Sequence, residues 1–447
     1  MSNDHGTRST GSGDNPIADG VPGRWRKWLG RVFIVIGVVS TAVVLVAGTV
    51  VLVKTGASNR QQEQVAQDQA PFYTYPDSVP TAPGTIIKSE PVGYSVVGGQ
   101  GFRIVYVSQD SAGKAVPVSG LVFVPTAPAP PGGRKVLAWA HGTVGLASKC
   151  APSRKTEPIG SGWLEPALAQ GWLVAATDYL GLGIDGPKSF LVGGQEARDV
   201  TNSVRAAAKM TGAEASNDWI VWGASQGGHS ALWTGADARK IAPELSLRAV
   251  GAAAPAAELA VIMREQWNQT VGWAIGPEAI ASWSANYPGR DFTSIMTAQA
   301  KNQYDALGNK CVLGDGLTGL VEEKFDNSFF AVDPNSNADF AATVAEQTPR
   351  ALPPSLPLFV AQGTDDTVVL QGSNALLQQQ WCAAGVTMQM DWLGGVQHQN
   401  TQNAGGPAFI EWAVDRFAGK PAPKNCAFSP PAPTVAFKPV TPVAPTQ

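Results

Sequence analysis

The chain has 447 residues, a formal net charge of −3, 44% hydrophobic residues and only 15% charged residues. This composition can bury a sizeable core, and the length suits one large domain with appendages or two domains. The charge is close to balanced, and Lys and Arg form no run beyond the N-terminal end, so the sequence argues against a nucleic-acid partner. The four cysteines are widely spaced and form no C-x-x-C pair, a pattern that argues against a metal site.

An uncharged apolar segment, residues 32–53, predicts export of the chain. As a helix it would be about 33 Å long, which is enough to cross a bilayer core. Basic residues precede it and only Lys54 follows closely, which predicts a disordered cytoplasmic tail at residues 1–31 and a single-pass protein with its remaining domains outside the cell membrane. The alternative is a cleaved signal segment and a secreted protein, with Thr55-Gly56-Ala57 as the cleavage site.

Beyond this segment, the sequence indicates a polar stalk at residues 54–70, a globular domain at 71–430 and a Pro-rich disordered tail at 431–447. At the start of the globular domain, the runs GFRIVYVSQD and SGLVFVP alternate apolar and polar residues with a period of two. That period predicts an antiparallel pair of strands at the edge of a sheet.

The rest of the globular domain alternates between two kinds of segment. Helical spacing of apolar residues occurs at residues 193–210 and 407–418. Six short, strongly apolar runs are typical of strands buried on both faces, namely residues 135–141, 172–179, 218–225, 247–255, 356–364 and 387–394. This rhythm predicts an α/β fold in which a mostly parallel sheet is covered by helices on both faces.

One motif in this domain indicates a catalytic function. Residues 223–227, Gly-Ala-Ser-Gln-Gly, match G-x-S-x-G, although the five letters alone are weak evidence in a chain with 49 glycines. A predicted strand precedes the motif and a run of helix formers follows it, which is the context that a nucleophile on a sharp strand-to-helix turn requires. The sequence therefore predicts Ser225 as a nucleophile at a helix N-terminus, where developing negative charge is favoured.

A serine nucleophile needs a general base, and the chain contains only four histidines. His5 lies in the N-terminal tail. His229 follows Ser225 by one helical turn and should face the sheet or a neighbouring helix, and His141 follows a strand at the position expected for an oxyanion loop. His398, in a loop after the last apolar strand, remains as the predicted base.

The acid that orients the histidine should follow a late strand and precede His398 in the chain. Asp365 and Asp366 both follow the strand at 356–364 and only one is needed, whereas Asp391 lies inside the last strand. The oxyanion hole should combine the backbone N–H of Gln226 with that of Gly142 or Thr143.

Three segments resemble the secretory lipase family of the α/β-hydrolase superfamily, of the fungal lipase A type. They are residues 71–92, residues 140–153 with AHGTVGLASKCAPS, and residues 176–207 with ATDYLGLGIDGPKSFLVGGQEARDVTNSVRAA. The resemblance covers about residues 71–430 and implies a triacylglycerol lipase or carboxylesterase of lipid catabolism. It implies that Ser225, Asp366 and His398 are the family's catalytic residues, because Asp366 fits the G-x-x-D-x-x-V form of lipase loops.

The same resemblance implies disulfides Cys150–Cys311 and Cys382–Cys426 and a helical cap at residues 258–350 that forms an apolar acyl tunnel. It implies a lipid or ester substrate and no metal or cofactor, and we expect a monomer. The turn that carries Ser225 is called the elbow below. Three other functions are compatible with it: an envelope acyltransferase with the same triad, a peptidase, and a non-catalytic hydrolase-like module.

Overall fold

The computed structural model describes residues 64–426, apart from 66, 76–77, 161, 270, 309–310 and 313–327. The predictions of a cytoplasmic tail, an apolar membrane segment and a Pro-rich tail lie outside the described residues, as does most of the predicted stalk. Residues 67–73 are helical. In the part of the chain that is described, no helix has the length and apolar character needed to cross a bilayer. The sheet and all the helices named below lie in the unit Ala66–Gln447.

One nine-stranded sheet forms the centre of this unit, with strand order β1-β2-β3-β5-β4-β6-β7-β8-β9. Its strands are β1 (Ile86–Pro91), β2 (Gly99–Gln109), β3 (Ala115–Pro125), β4 (Arg134–Ala140), β5 (Leu173–Thr177), β6 (Ala215–Ala224), β7 (Ser246–Ala253), β8 (Leu358–Gly363) and β9 (Met388–Leu393). The pairs β1–β2, β2–β3 and β3–β5 are antiparallel, and the pairs from β5 through β4, β6, β7 and β8 to β9 are parallel. The predicted mostly parallel sheet is confirmed.

The predicted antiparallel pair, β2 and β3, is not at the edge of the sheet. β1 covers the outer side of β2, and β3 pairs with β5 on its other side. The sequence of β1, IIKSEP, gave no strand signal because its residues are only half-buried or exposed, as expected for an edge strand with little apolar content.

Helices cover both faces of the sheet. Within the described residues they are α1 (Leu164–Ala169), α2 (Gly193–Ala208), α3 (Gln226–Ile241), α4 (Leu259–Gln266), α5 (Val271–Asn286), α6 (Ala298–Gly308), α7 (Ala338–Gln347), α8 (Gln371–Ala383) and α9 (His398–Phe417). Successive residues of β4 alternate between two apolar cores, with Val136 and Ala138 in one and Leu137 and Trp139 in the other. Because β4 is buried on both faces, its sequence is a continuous apolar run.

Helices α4 to α7 lie between β7 and β8 in the chain, within the range predicted as a cap. They have their own aromatic core, in which Trp283 packs against Phe292 and Phe340 with ring centroids 6.1 and 5.1 Å apart. Residues 313–327 of the predicted cap lie outside the described residues.

Both predicted disulfides are present. Cys150–Cys311 and Cys382–Cys426 have Cα–Cα distances of 5.2 and 5.7 Å. Beside the first disulfide, Val312 N–H donates to Val144 C=O at 2.8 Å. This bond and the disulfide fasten the segment after α6 to the loop after β4.

Candidate active site

Ser225 lies on a sharp turn between β6 and α3, at the carboxyl edge of the sheet. Its backbone has φ 57° and ψ −118°, a conformation that non-glycine residues rarely adopt. Two hydrogen bonds hold this turn, from Ser225 N–H to Ala253 C=O at 2.9 Å and from His229 N–H to Ser225 C=O at 3.0 Å. The serine therefore occupies the N-cap of α3, as the G-x-S-x-G motif predicts.

Close backbone contacts require both glycines of the motif. A Cβ on Gly223 would lie 2.1 Å from Gly227 O, and a Cβ on Gly227 would lie 2.0 Å from Ala140 O. These distances are far below van der Waals contact, so no side chain fits at either position without movement of the backbone. The glycines thus press the start of α3 against the end of β4, and this brings Ser225 next to the loop that begins at His141.

The predicted acid and base form a hydrogen-bonded pair. Asp366 is 1% exposed and accepts a hydrogen bond from His398 Nδ1 on Oδ2 at 2.8 Å. Its other oxygen accepts from the backbone N–H groups of Val368 and Val369, at 2.9 and 2.8 Å. Gln362 Nε2 donates to Oδ2 at 3.1 Å. Four donors therefore fix the carboxylate, and the carboxylate in turn fixes the imidazole ring.

The other two candidate acids do not contact His398. Asp365 is exposed and accepts from Thr364 Oγ1 at 3.3 Å, and Asp391, on β9, accepts from Gln389 Nε2 at 3.0 Å. The loop prediction for His398 needs a correction, because His398 is the first residue of α9. The first two turns of α9 carry polar residues, and a polar segment without apolar periodicity was interpreted as a loop. The helix therefore starts earlier than the apolar pattern indicated.

The remaining described histidines make other contacts. His141 is 1% exposed, with Nδ1 2.7 Å from Gly142 O and Nε2 3.1 Å from Asp178 O. Burial lowers the pKa of His141. His229 is fully buried and donates from Nδ1 to Glu196 Oε2 at 2.9 Å, so it faces the neighbouring helix α2, as expected.

An apolar cavity of about 360 Å³ adjoins Ser225. The predicted oxyanion residues Thr143 and Gln226 line it together with Ser225. Gly142 is adjacent, because a Cβ placed on it would lie 3.7 Å from Ser225 Cβ. The apolar part of the wall includes Leu259, Ile262 and Met263 of α4, Ile275 of α5, and Val369 of the loop that holds Asp366. The cavity thus joins the elbow, the loop after β4, the acid loop and the helices between β7 and β8.

A buried carboxylate beside the elbow escaped the sequence analysis. Glu196 of α2 has no exposed surface and accepts hydrogen bonds from Leu191 N–H at 3.1 Å, Gln226 Nε2 at 2.8 Å and His229 Nδ1 at 2.9 Å. His229 Nε2 lies 2.8 Å from Gln347 O at the end of α7. A chain of hydrogen bonds therefore links Gln226, next to the nucleophile, to the helices above the cavity. The sequence did carry a sign that Glu196 is buried, because it lies one turn before Val200 on the apolar face of α2.

A second buried acid lies in α5. Glu278 is 3% exposed, and its Oε2 accepts no hydrogen bond from the described part of the chain. Burial raises the pKa of Glu278 well above 4.5, because the charged form of the carboxyl loses its contact with water.

The chain matches known proteins along most of its length. Residues 159–425, more than half of the chain, match the model of the secretory lipase family. Lipase 5 of Candida albicans is 26% identical over 392 residues, which cover 80% of this chain and 82% of that protein. A Mycobacterium tuberculosis protein named a probable inactive lipase is 23% identical over 381 residues, covering 78% and 82%.

Solved structures share the fold. Candida antarctica lipase A in its closed state has a TM-score of 0.64 at 19% identity, covering 82% of this chain and 89% of that one. The rice cell wall degrading esterase LipA of Xanthomonas oryzae has a TM-score of 0.60 at 18% identity, covering 75% and 98%. With the family match, these likenesses confirm the resemblance drawn from the sequence: the chain belongs to the secretory lipase family and is a lipase-like hydrolase with an α/β-hydrolase fold.

Proposed function

We propose that the protein hydrolyses carboxylic esters with an apolar acyl part, through an acyl-enzyme on Ser225. The observation that carries the proposal is the 2.8 Å hydrogen bond between His398 and Asp366. It orients an imidazole with Nδ1 toward the acid and leaves Nε2 to accept a proton. His141 and His229 are buried in unrelated contacts, so among the described residues His398 is the histidine suited to act as base.

In this proposal, Ser225 Oγ attacks the ester carbonyl while His398 Nε2 takes the hydroxyl proton. Asp366 holds the ring and stabilises the imidazolium that forms. The backbone N–H groups of Gln226 and of Gly142 or Thr143 stabilise the oxyanion. His398 then gives the proton to the leaving alcohol, and a water molecule activated by the same histidine releases the acid and regenerates Ser225.

The wall of the cavity supports an apolar acyl group. The side chains from α4 and α5 that line it are aliphatic or Met, and burial of each methylene of a chain is worth about 0.8 kcal/mol. Helices α4 to α7 would thus act as the predicted cap. The secretory character of the family and the two disulfides support action outside the cytoplasm, with the protein either released or held by residues 32–53.

The test is hydrolysis of p-nitrophenyl esters from C2 to C16 by the full-length protein and by Ser225→Ala. We expect a loss of kcat on the order of 10⁶-fold in the variant. Ser111→Ala, an exposed serine in the β2–β3 turn, is the matched control and should retain full activity. If folded Ser225→Ala keeps the wild-type rate, or if the wild type is inert toward every chain length, the proposal is wrong.

A further inference from the structure

A second recess adjoins the Ser225 cavity. It has a volume of about 280 Å³ and shares Phe190 and Gln226 with that cavity. His141 and Val144, on either side of the proposed oxyanion residues, also line it. The two recesses therefore meet at the place where the ester carbonyl would sit, and each can receive one arm of the ester.

The two recesses differ in charge. Among the residues that the structure describes, no charged side chain lines the Ser225 cavity, whereas Lys188 lines the second recess. Lys188 Nζ donates to Gly181 C=O at 2.8 Å, which uses one of its three N–H donors. Burial lowers the pKa of Lys188, and the carboxylate that opposes this effect, on Asp185, is exposed. Among the described residues, no carboxylate forms an ion pair with Lys188.

The backbone around Lys188 is held firmly. Asn286 Nδ2 of α5 donates to Lys188 C=O at 2.8 Å, and Phe190 N–H donates to Ser282 Oγ at 3.1 Å. Ser189 Oγ donates to Leu180 C=O at 3.0 Å. Lys188 is only half-buried, and the nearby Asp185 is exposed and forms no ion pair with it, so an anionic group in the recess could pair with the ammonium group. This arrangement is typical of a site for an anionic group of a ligand.

We propose that the second recess receives the alcohol part of the ester and that Lys188 selects alcohols that carry a carboxylate or a phosphate. The inference rests on the proposed ester hydrolysis. The uncharged cavity beside Ser225 suits the apolar acyl arm, which leaves the recess with the cation for the alcohol arm.

The test compares two esters that differ in one charge, 4-carboxyphenyl octanoate and 4-carbamoylphenyl octanoate. Lys188→Met keeps the aliphatic part of the side chain and removes the charge. In this variant we expect kcat/KM for the carboxylate ester to fall about 10- to 100-fold, mainly through KM, because one charge-assisted hydrogen bond is lost. The carbamoyl ester should be hydrolysed as by the wild type. Lys149→Met, which changes an exposed lysine, should alter neither.

Further substrates locate the charge and identify the anion. Octanoylglycerol and its phosphorylated counterpart form a second pair, and the pair with the larger Lys188-dependent ratio shows whether carboxylate or phosphate is preferred. If Lys188→Met leaves both ratios unchanged, the inference is wrong. It is also wrong if the dependence on Lys188 appears only when the charge is on the acyl end, as in the mono-4-nitrophenyl ester of suberic acid. A wild type that cleaves none of these esters would instead refute the ester hydrolysis itself.

Discussion

Replacement of Glu196 by glutamine measures how the buried network beside the elbow contributes to the protein. The carboxylate accepts from two donors at Oε1 and from His229 at Oε2. A glutamine of the same shape keeps one oxygen, which can still accept from Leu191 and Gln226. Its NH₂ group then faces His229 Nδ1, which can accept from it only in the neutral tautomer that carries its proton on Nε2. The substitution therefore removes one charge-assisted hydrogen bond and spares the two that hold the residue after Ser225.

The expected effect is a loss of about 1.5–3 kcal/mol in the free energy of unfolding. An entropy of unfolding of about 2.1 cal/mol/K per residue, over a domain of roughly 360 residues, gives about 0.76 kcal/mol/K. The melting temperature should thus fall by about 2–4 °C. Because the oxygen toward Gln226 remains, kcat for p-nitrophenyl esters should change less than about tenfold, which corresponds to less than about 1.4 kcal/mol.

Differential scanning calorimetry and ester hydrolysis on the same preparations test both parts of this prediction. Glu165→Gln is the matched control, because Glu165 is exposed on α1 and its replacement should change neither quantity. An unchanged melting temperature in Glu196→Gln would refute the reasoning about the network. A loss of activity as large as that of Ser225→Ala in a folded variant would show that Glu196 takes part in the reaction, contrary to its supporting position.

Three further predictions concern the acid, the cap and the disulfides. Asp366→Asn should lower kcat about 10⁴-fold because the amide disfavours the required histidine tautomer, whereas Asp365→Asn should leave kcat within about twofold. The pKa of Glu278 is raised in the folded state, so the free energy of unfolding should fall as pH rises above about 4.5, where the carboxyl of the unfolded chain ionises. Denaturation at several pH values should therefore give a flatter dependence of this free energy on pH for Glu278→Gln than for the wild type. Parallel curves for the two proteins would contradict the assignment. The disulfides close loops of 161 and 44 residues, and loop entropy predicts how much free energy of unfolding each contributes. Cys150→Ser/Cys311→Ser should lose about 5 kcal/mol and Cys382→Ser/Cys426→Ser about 4 kcal/mol. Similar or reversed losses in calorimetry would contradict the loop-length argument.

The parts of the fold that could be predicted from the sequence are those with a strong local signal. Strands in the middle of the sheet, such as β4, β5 and β8, are buried on both faces, so their apolar runs are unmistakable, whereas the edge strand β9 is buried only at Met388 and Met390. The strand before Ser225 and the helix after it follow the motif. The position after the strand narrows the acid to Asp365 and Asp366, and the family resemblance favours Asp366. The structure agrees with that choice, because Asp366 is enclosed and bonded to His398 whereas Asp365 is exposed.

The rest depends on contacts between residues far apart in the chain. The network of Glu196, His229 and Gln347 joins residues up to 151 positions apart (347 − 196), and no local pattern marks such a connection. Lys188 is one lysine in a polar loop until the fold places it in the wall of the second recess. Edge strand β1 was missed for the opposite reason, since a half-exposed strand carries too little apolar content to be distinguished from a loop.

The order of the candidate residues along the chain affects how the protein is made. Gly142, Ser225, Asp366 and His398 follow different strands, and His398 comes last, in α9 after the final strand β9. Its bond to Asp366 cannot form until almost the whole catalytic domain has left the ribosome. A nascent or truncated chain that ends before α9 would therefore lack the proposed base.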